Sequence, residues 1–189
     1  MPEGSAPRTR SDRHALLNLP NAITFARLCA VPLAVWLVLR HDLAFAFVLF
    51  VAAGLSDAVD GWLARRQGGT PLGAVLDPVA DKMLLMSSYV TLAVIDVLPD
   101  WLAILVVFRD LLIVGGFLVL WILGQPVPVR PLMISKLNTA AQIFLVALAL
   151  LLAGFRLEAP ALLHGVVWLV ALTTLLSGAA YVWTGARGR

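Results

Sequence analysis

Six apolar stretches, at 22–39, 43–64, 73–95, 101–123, 133–153 and 162–183, take up most of this 189-residue chain. Each is close to the roughly 20 residues that a helix needs to cross the hydrocarbon of a bilayer. In lipid, backbone polar groups must be satisfied within their own segment, so runs of this kind fold as helices. With 61% hydrophobic and 13% charged residues, an ordinary soluble domain is excluded. The expected fold is all-α and integral to the membrane, with six transmembrane helices in one domain over 15–189. Residues 1–14, rich in Pro, Gly, Ser and Arg, are read as a flexible cytoplasmic tail. A cleavable signal is disfavoured because the following apolar stretch is too long and Arg27 interrupts it.

Charge sets the orientation. Arg8, Arg10, Arg13, Arg65, Arg66, Arg130, Lys136, Arg187 and Arg189 fall on one side of the six spans, and only Arg40 and Arg156 on the other. The positive side faces the cytoplasm, which puts both termini there. Trp62 and Trp183 then lie near the inner interface and Trp36 and Trp101 near the outer one. The net charge of +3 faces anionic headgroups, so no nucleic-acid partner is required. A single cysteine, Cys29, rules out a disulfide framework.

Against this background one stretch stands out: Asp57-x-x-Asp60-Gly61-x-x-Ala64-Arg65, then Gly73-x-x-x-Asp77-x-x-x-Asp81. An acidic side chain inside a span costs about 3 kcal/mol or more unless it is paired, hydrated or bound to a cation. Four like charges cannot neutralise one another, and a pair of divalent metal ions is the economical explanation. Metal pairs held by carboxylates suit phosphate chemistry. Gln67-Gly68-Gly69-Thr70-Pro71 is strong turn chemistry within a connection at 66–72, so the second and third helices are expected as antiparallel neighbours. Asp57 and Asp60 are spaced i,i+3 and Asp77 and Asp81 i,i+4, so each pair shares a helix face. At 1.5 Å rise per residue, Asp57 and Asp81 both lie about 12 Å from the turn. Pro78 requires either the first turn of the third helix or neighbours that satisfy the carbonyl it frees. Arg65 offers a fork suited to a phosphate oxygen.

The stretch from Asp57 to Asp81 resembles the signature of the CDP-alcohol phosphotransferase family at every defining position. Leu19-Pro20-Asn21, with Thr24, Arg27 and Pro32, resembles that family's approach to its first span. The resemblance implies a six-helix membrane fold with the active site at the cytoplasmic ends of helices 2 and 3. It implies transfer of a phosphatidyl group from CDP-diacylglycerol to an alcohol, with release of CMP. Asp57, Asp60, Asp77 and Asp81 would then bind two divalent ions, with Asp81 also the general base. Asp60, Gly61, Ala64, Arg65, Gly73, Asn21 and Thr24 would hold CDP-diacylglycerol. Mg²⁺ or Mn²⁺ fits all-oxygen ligation, and zinc does not, since no Cys or His lies nearby. Members of the family are commonly homodimers, so a homodimer is among the implied assemblies. The expected location is the bacterial inner membrane.

The acceptor is sought among cations outside the motif. Arg109, in the fourth span beside Asp110, should face the interior because a lipid-facing arginine is expensive. Lys136 opens the fifth span within Ser135-Lys136-Leu137-Asn138-Thr139, and Arg130 precedes it. Arg109, Lys136, Arg130 and Asn138 are therefore expected to line an anion pocket, an acceptor carrying a phosphate. Around these residues the chain resembles the CMP-forming cardiolipin synthase branch more than the phosphatidylglycerophosphate synthases. The latter usually carry a second basic residue where Asn138 stands. The expected acceptor is phosphatidylglycerol, an anionic lipid, with glycerol 3-phosphate as the alternative. A transporter would show paired broken helices in both halves, and the second half has no matching motif. A non-catalytic lipid-binding protein would be expected to lose a signature residue, and none is missing.

Overall fold

The computed structural model describes the backbone of residues 19–67, 71–122, 124 and 133–187, and side chains at 25–57, 79–116, 122, 124, 133–181 and 183. Among these residues the chain forms six helices: α1 Leu19–Leu39, α2 Leu43–Gln67, α3 Pro71–Val94, α4 Asp100–Ile122, α5 Met133–Gly154 and α6 Pro160–Arg187. Each apolar stretch of the sequence coincides with one helix to within a few residues at its ends. The connection expected at 66–72 is shorter, because α2 continues through Gln67 and α3 already starts at Pro71. A proline suits a first helical position, where its missing N–H is not needed. Pro78 consequently lies beyond the first turn of α3, so the carbonyl it frees depends on neighbouring groups.

Three of the connections end the preceding helix in the same way. His41, Asp96 and Arg156 have φ of 60°, 60° and 53°. In each case the following N–H reaches back five residues, from Asp42 to Leu37, Val97 to Leu92 and Leu157 to Leu152, at 2.8–2.9 Å. This capping satisfies carbonyls that the last turn would leave open, and it reverses the chain within a few residues. Short connections of this type join α1 to α2, α3 to α4 and α5 to α6.

Around the bundle the helices follow the order α1, α2, α5, α6, α4, α3, each packed on the next and α3 closing on α1, while α3 also touches α5 across the centre. The expected direct pairing of α2 with α3 at their joined ends falls on 58–78, whose side chains lie outside the described residues. Among the described residues neither makes its main contacts with the other, and α1 packs against both. Small side chains make this possible, since Ala30 and Ala34 on α1 and Ala46 and Ala53 on α2 are buried and let backbones approach closely. The core is completed by Tyr89 and Leu92 of α3, Leu102 and Val106 of α4, Leu145 and Val146 of α5, and Val167 and Val170 of α6.

Polarity is inverted relative to a soluble protein. Phe25, Phe45, Ile104 and Trp168 are each about two-thirds exposed, whereas Arg27, Arg109, Asp110, Asn138 and Gln142 are buried. Among the described residues, Met133–Gly154 and Pro160–Tyr181 are long and apolar enough to cross a membrane, and Phe25–Leu39 and Leu43–Asp57 are shorter apolar stretches.

Candidate active site

The buried face of α1 runs through Arg27, Ala30, Ala34 and Val38, a helical repeat that ends on a cation. On α2 the buried series Ala46, Phe50 and Ala53 leads at the same spacing to Asp57. Asp81 follows the fully buried Ala80 on α3. Packing α1 against both helices therefore carries three charges to one place. Arg27 Nη1 lies 3.0 Å from Asp57 Oδ1 and 3.1 Å from Asp81 Oδ1. The arginine side chain is 2% exposed, the carboxylates 42% and 43%. The cation forms a floor, and the two acids open away from it.

Among the described residues Arg27 is held by charge rather than by aligned hydrogen bonds, and its Nε and both Nη atoms lack a hydrogen-bond partner. Two carboxylates from separate helices meet at this one guanidinium. Oxygen donors of this kind suit a hard divalent ion. Asp60 is on α2 one turn past Asp57, and Asp77 is on α3 one turn before Asp81. Their side chains, with those of Asn21, Thr24, Gly61, Ala64, Arg65 and Gly73, lie outside the described residues, as does Arg130 altogether. Among the described residues no three His, Cys, Asp or Glu side chains converge on a metal-sized space.

A second polar centre adjoins the first through the chain itself. Lys82, next to Asp81, donates from Nζ to Asp110 Oδ2 at 2.6 Å, and Arg109 Nη1 donates to Asp110 Oδ1 at 2.8 Å. Arg109 Nη2 donates to Ser135 Oγ of α5 at 2.7 Å and to Ser177 Oγ of α6. Its guanidinium also faces the Tyr181 ring at 5.8 Å, a cation–π contact. Arg109 thus faces the interior, as its cost in lipid demands, and it is bound there to its own neighbour Asp110. Lys136, beside Ser135, is exposed. Asn138 is fully buried, and its Oδ1 accepts from Thr173 Oγ1 at 2.8 Å and Thr174 Oγ1 at 2.9 Å. Among the described residues its Nδ2 has no hydrogen-bond partner.

In the sequence Arg27 is marked only as part of the approach to the first span. The signal was available, since an arginine in an apolar helix needs a partner wherever it occurs. Ser177 and Tyr181 carried no such signal, because a hydroxyl in α6 is marked out only by what it faces.

The chain belongs to the CDP-alcohol phosphatidyltransferase family, whose sequence profile matches residues 17–177. It is 31% identical to a probable cardiolipin synthase (CMP-forming) of Drosophila melanogaster, over 92% of this chain and 59% of that protein. It is 36% identical to the chloroplastic CDP-diacylglycerol–glycerol-3-phosphate 3-phosphatidyltransferase 1 of rice, over 89% and 57%. With the enzyme of the latter name from Bacillus subtilis it shares 33% identity, over 88% of this chain and 94% of that protein. The chain spans under three fifths of the fly and rice relatives and nearly all of the bacterial one. The family is one of membrane-embedded phospholipid-biosynthetic transferases that generally use divalent metal ions.

Proposed function

We propose that the protein transfers a phosphatidyl group from CDP-diacylglycerol to phosphatidylglycerol, giving cardiolipin and CMP, at a two-metal site on α2 and α3. The observation that carries this reading is the meeting of Asp57 and Asp81, from separate helices, at one buried cation. It supports the view that the signature spacing serves a single site. The six helices span the bacterial inner membrane with both termini in the cytoplasm.

Asp57, Asp60, Asp77 and Asp81 would hold two ions, Mg²⁺ or Mn²⁺, which would stabilise charge on the attacking and leaving oxygens of an in-line displacement. Arg65 grips a diphosphate oxygen, and Gly61, Ala64 and Gly73 leave room for cytidine, with Asn21 and Thr24 at its edge. Asp81 takes the proton of the acceptor hydroxyl as that oxygen bonds to the phosphatidyl phosphorus. The bond from this phosphorus to the CMP oxygen breaks, and CMP departs with the electron pair. Arg109, Lys136 and Arg130 hold the acceptor's phosphate, with Asn138 behind them. Arg109 is already oriented by Asp110, Ser135 and Ser177.

A second reading takes glycerol 3-phosphate as acceptor. The similarity to the B. subtilis enzyme, which this chain matches over nearly its whole length, favours it. The test is direct. Purified protein receives CDP-diacylglycerol with either phosphatidylglycerol or glycerol 3-phosphate, with and without EDTA, and the lipid products are identified by mass. Cardiolipin formation abolished by EDTA is expected. Phosphatidylglycerophosphate without cardiolipin would transfer the case to the second reading, and no CMP release from any mixture would sink both.

A further inference from the structure

The contact between Arg27 and two of the motif acids has a consequence for metal loading, resting on the reading of Asp57 and Asp81 as ligands. Both ion pairs run through a single nitrogen, Nη1, at 3.0 and 3.1 Å from the two Oδ1 atoms. A hard divalent ion binds carboxylate oxygen much closer, at about 2.0–2.6 Å. An ion bound to either of these Oδ1 atoms would lie within about 5.6 Å of Nη1 and would be opposed by its charge. We infer that Arg27 is a built-in competitor of the metal: it neutralises Asp57 and Asp81 in the metal-free chain and yields them when a divalent ion enters.

Three features favour exchange over a permanent tie. The grip is partial, since among the described residues none of the guanidinium nitrogens is aligned for a hydrogen bond and Nε and Nη2 are buried without a hydrogen-bond partner. Leaving this pose therefore forfeits charge attraction but no network of aligned bonds. The acids are more than two-fifths exposed while the arginine is buried, so an entering ion reaches the carboxylates before the guanidinium. Burial also removes the solvent that would weaken the arginine's charge, so its antagonism to a second cation acts nearly unscreened. The value of such a device is that two apolar-embedded carboxylates are never left facing each other bare.

The experiment measures Mn²⁺ affinity by electron paramagnetic resonance and the thermal midpoint, on the full chain in detergent micelles. Arg27→Gln is expected to tighten Mn²⁺ binding several-fold, up to about tenfold, and to lower the midpoint in EDTA. Saturating Mn²⁺ should close most of that gap. Arg27→Lys keeps the charge but shortens the reach, and should fall between the two, which keeps the test open if the glutamine variant does not fold. Unchanged or weaker Mn²⁺ binding in both variants, with the same midpoint loss with and without metal, would make Arg27 a structural tie and overturn the inference. Asp57→Asn and Asp81→Asn discriminate the underlying reading. If neither weakens Mn²⁺ binding, or if the unmodified chain binds none, the metal assignment itself fails and this inference with it.

Discussion

Lys82 Nζ stands 2.6 Å from Asp110 Oδ2, joining the residue after the last motif acid to the middle of α4. Since Asp110 Oδ1 also receives Arg109, one buried carboxylate serves two cations from two helices. The helix that carries Asp77 and Asp81 is thereby tied to the helix that carries Arg109.

Removing that carboxylate should be costly. Asp110→Asn leaves Arg109, 5% exposed, without its charged partner, and breaking a buried pair in this way costs about 3–5 kcal/mol. Lys82 is 39% exposed on its side chain, so Lys82→Met should cost under about 1 kcal/mol. Thermal midpoints in one detergent compare the two directly. Equal losses would show that Arg109 does not depend on Asp110.

Activity should follow the motif acids. Asp57→Asn, Asp60→Asn and Asp77→Asn are each expected to lower CMP release by at least about a hundredfold while the protein still inserts. Asp81→Asn should lose turnover more completely than CDP-diacylglycerol binding, as befits a base. Near-normal turnover at saturating Mg²⁺ in any of the first three would remove that residue from the ligand set.

The acceptor region gives a contrast between neighbours. Lys136→Ala, at an exposed position, should raise the acceptor KM about tenfold or more with little change in stability. Asn138→Lys places an ammonium between Thr173 and Thr174 in a fully buried space, so it should destabilise by several kcal/mol. Because phosphatidylglycerophosphate synthases usually carry a basic residue at this position, the contrary outcome is a gain of transfer to glycerol 3-phosphate. A well-folded Asn138→Lys protein with that new activity would favour the sequence view.

Two glycines test packing. A Cβ on Gly154, at the end of α5, would stand 2.6 Å from the Ala44 backbone nitrogen and 2.8 Å from the Leu43 carbonyl carbon. Backbone cannot step aside, so Gly154→Ala should cost about 1–3 kcal/mol. Gly54, inside α2, has nothing within 4 Å, so Gly54→Ala should stabilise by up to about 1 kcal/mol through helix propensity. Opposite signs in the thermal midpoint are expected.

What could be read from the chain alone was whatever is decided within a dozen residues. Hydropathy located six helices, because a segment's affinity for lipid depends on its own side chains. The i,i+3 and i,i+4 spacing of the acids was legible for a similar reason, since one helix sets the direction of its own faces. Rotation and neighbourhood of the helices were not. Whether α1 would pack against both α2 and α3, and so bring Arg27 to Asp57 and Asp81, depends on how small residues such as Ala30, Ala34 and Ala53 let helices from separate segments approach. The sharing of Asp110 between Lys82 and Arg109, and the turning of Asn138 toward α6, likewise arise only when three helices meet. Charge and apolarity are local properties, whereas the partner that satisfies a buried charge is chosen by the packing of the whole bundle.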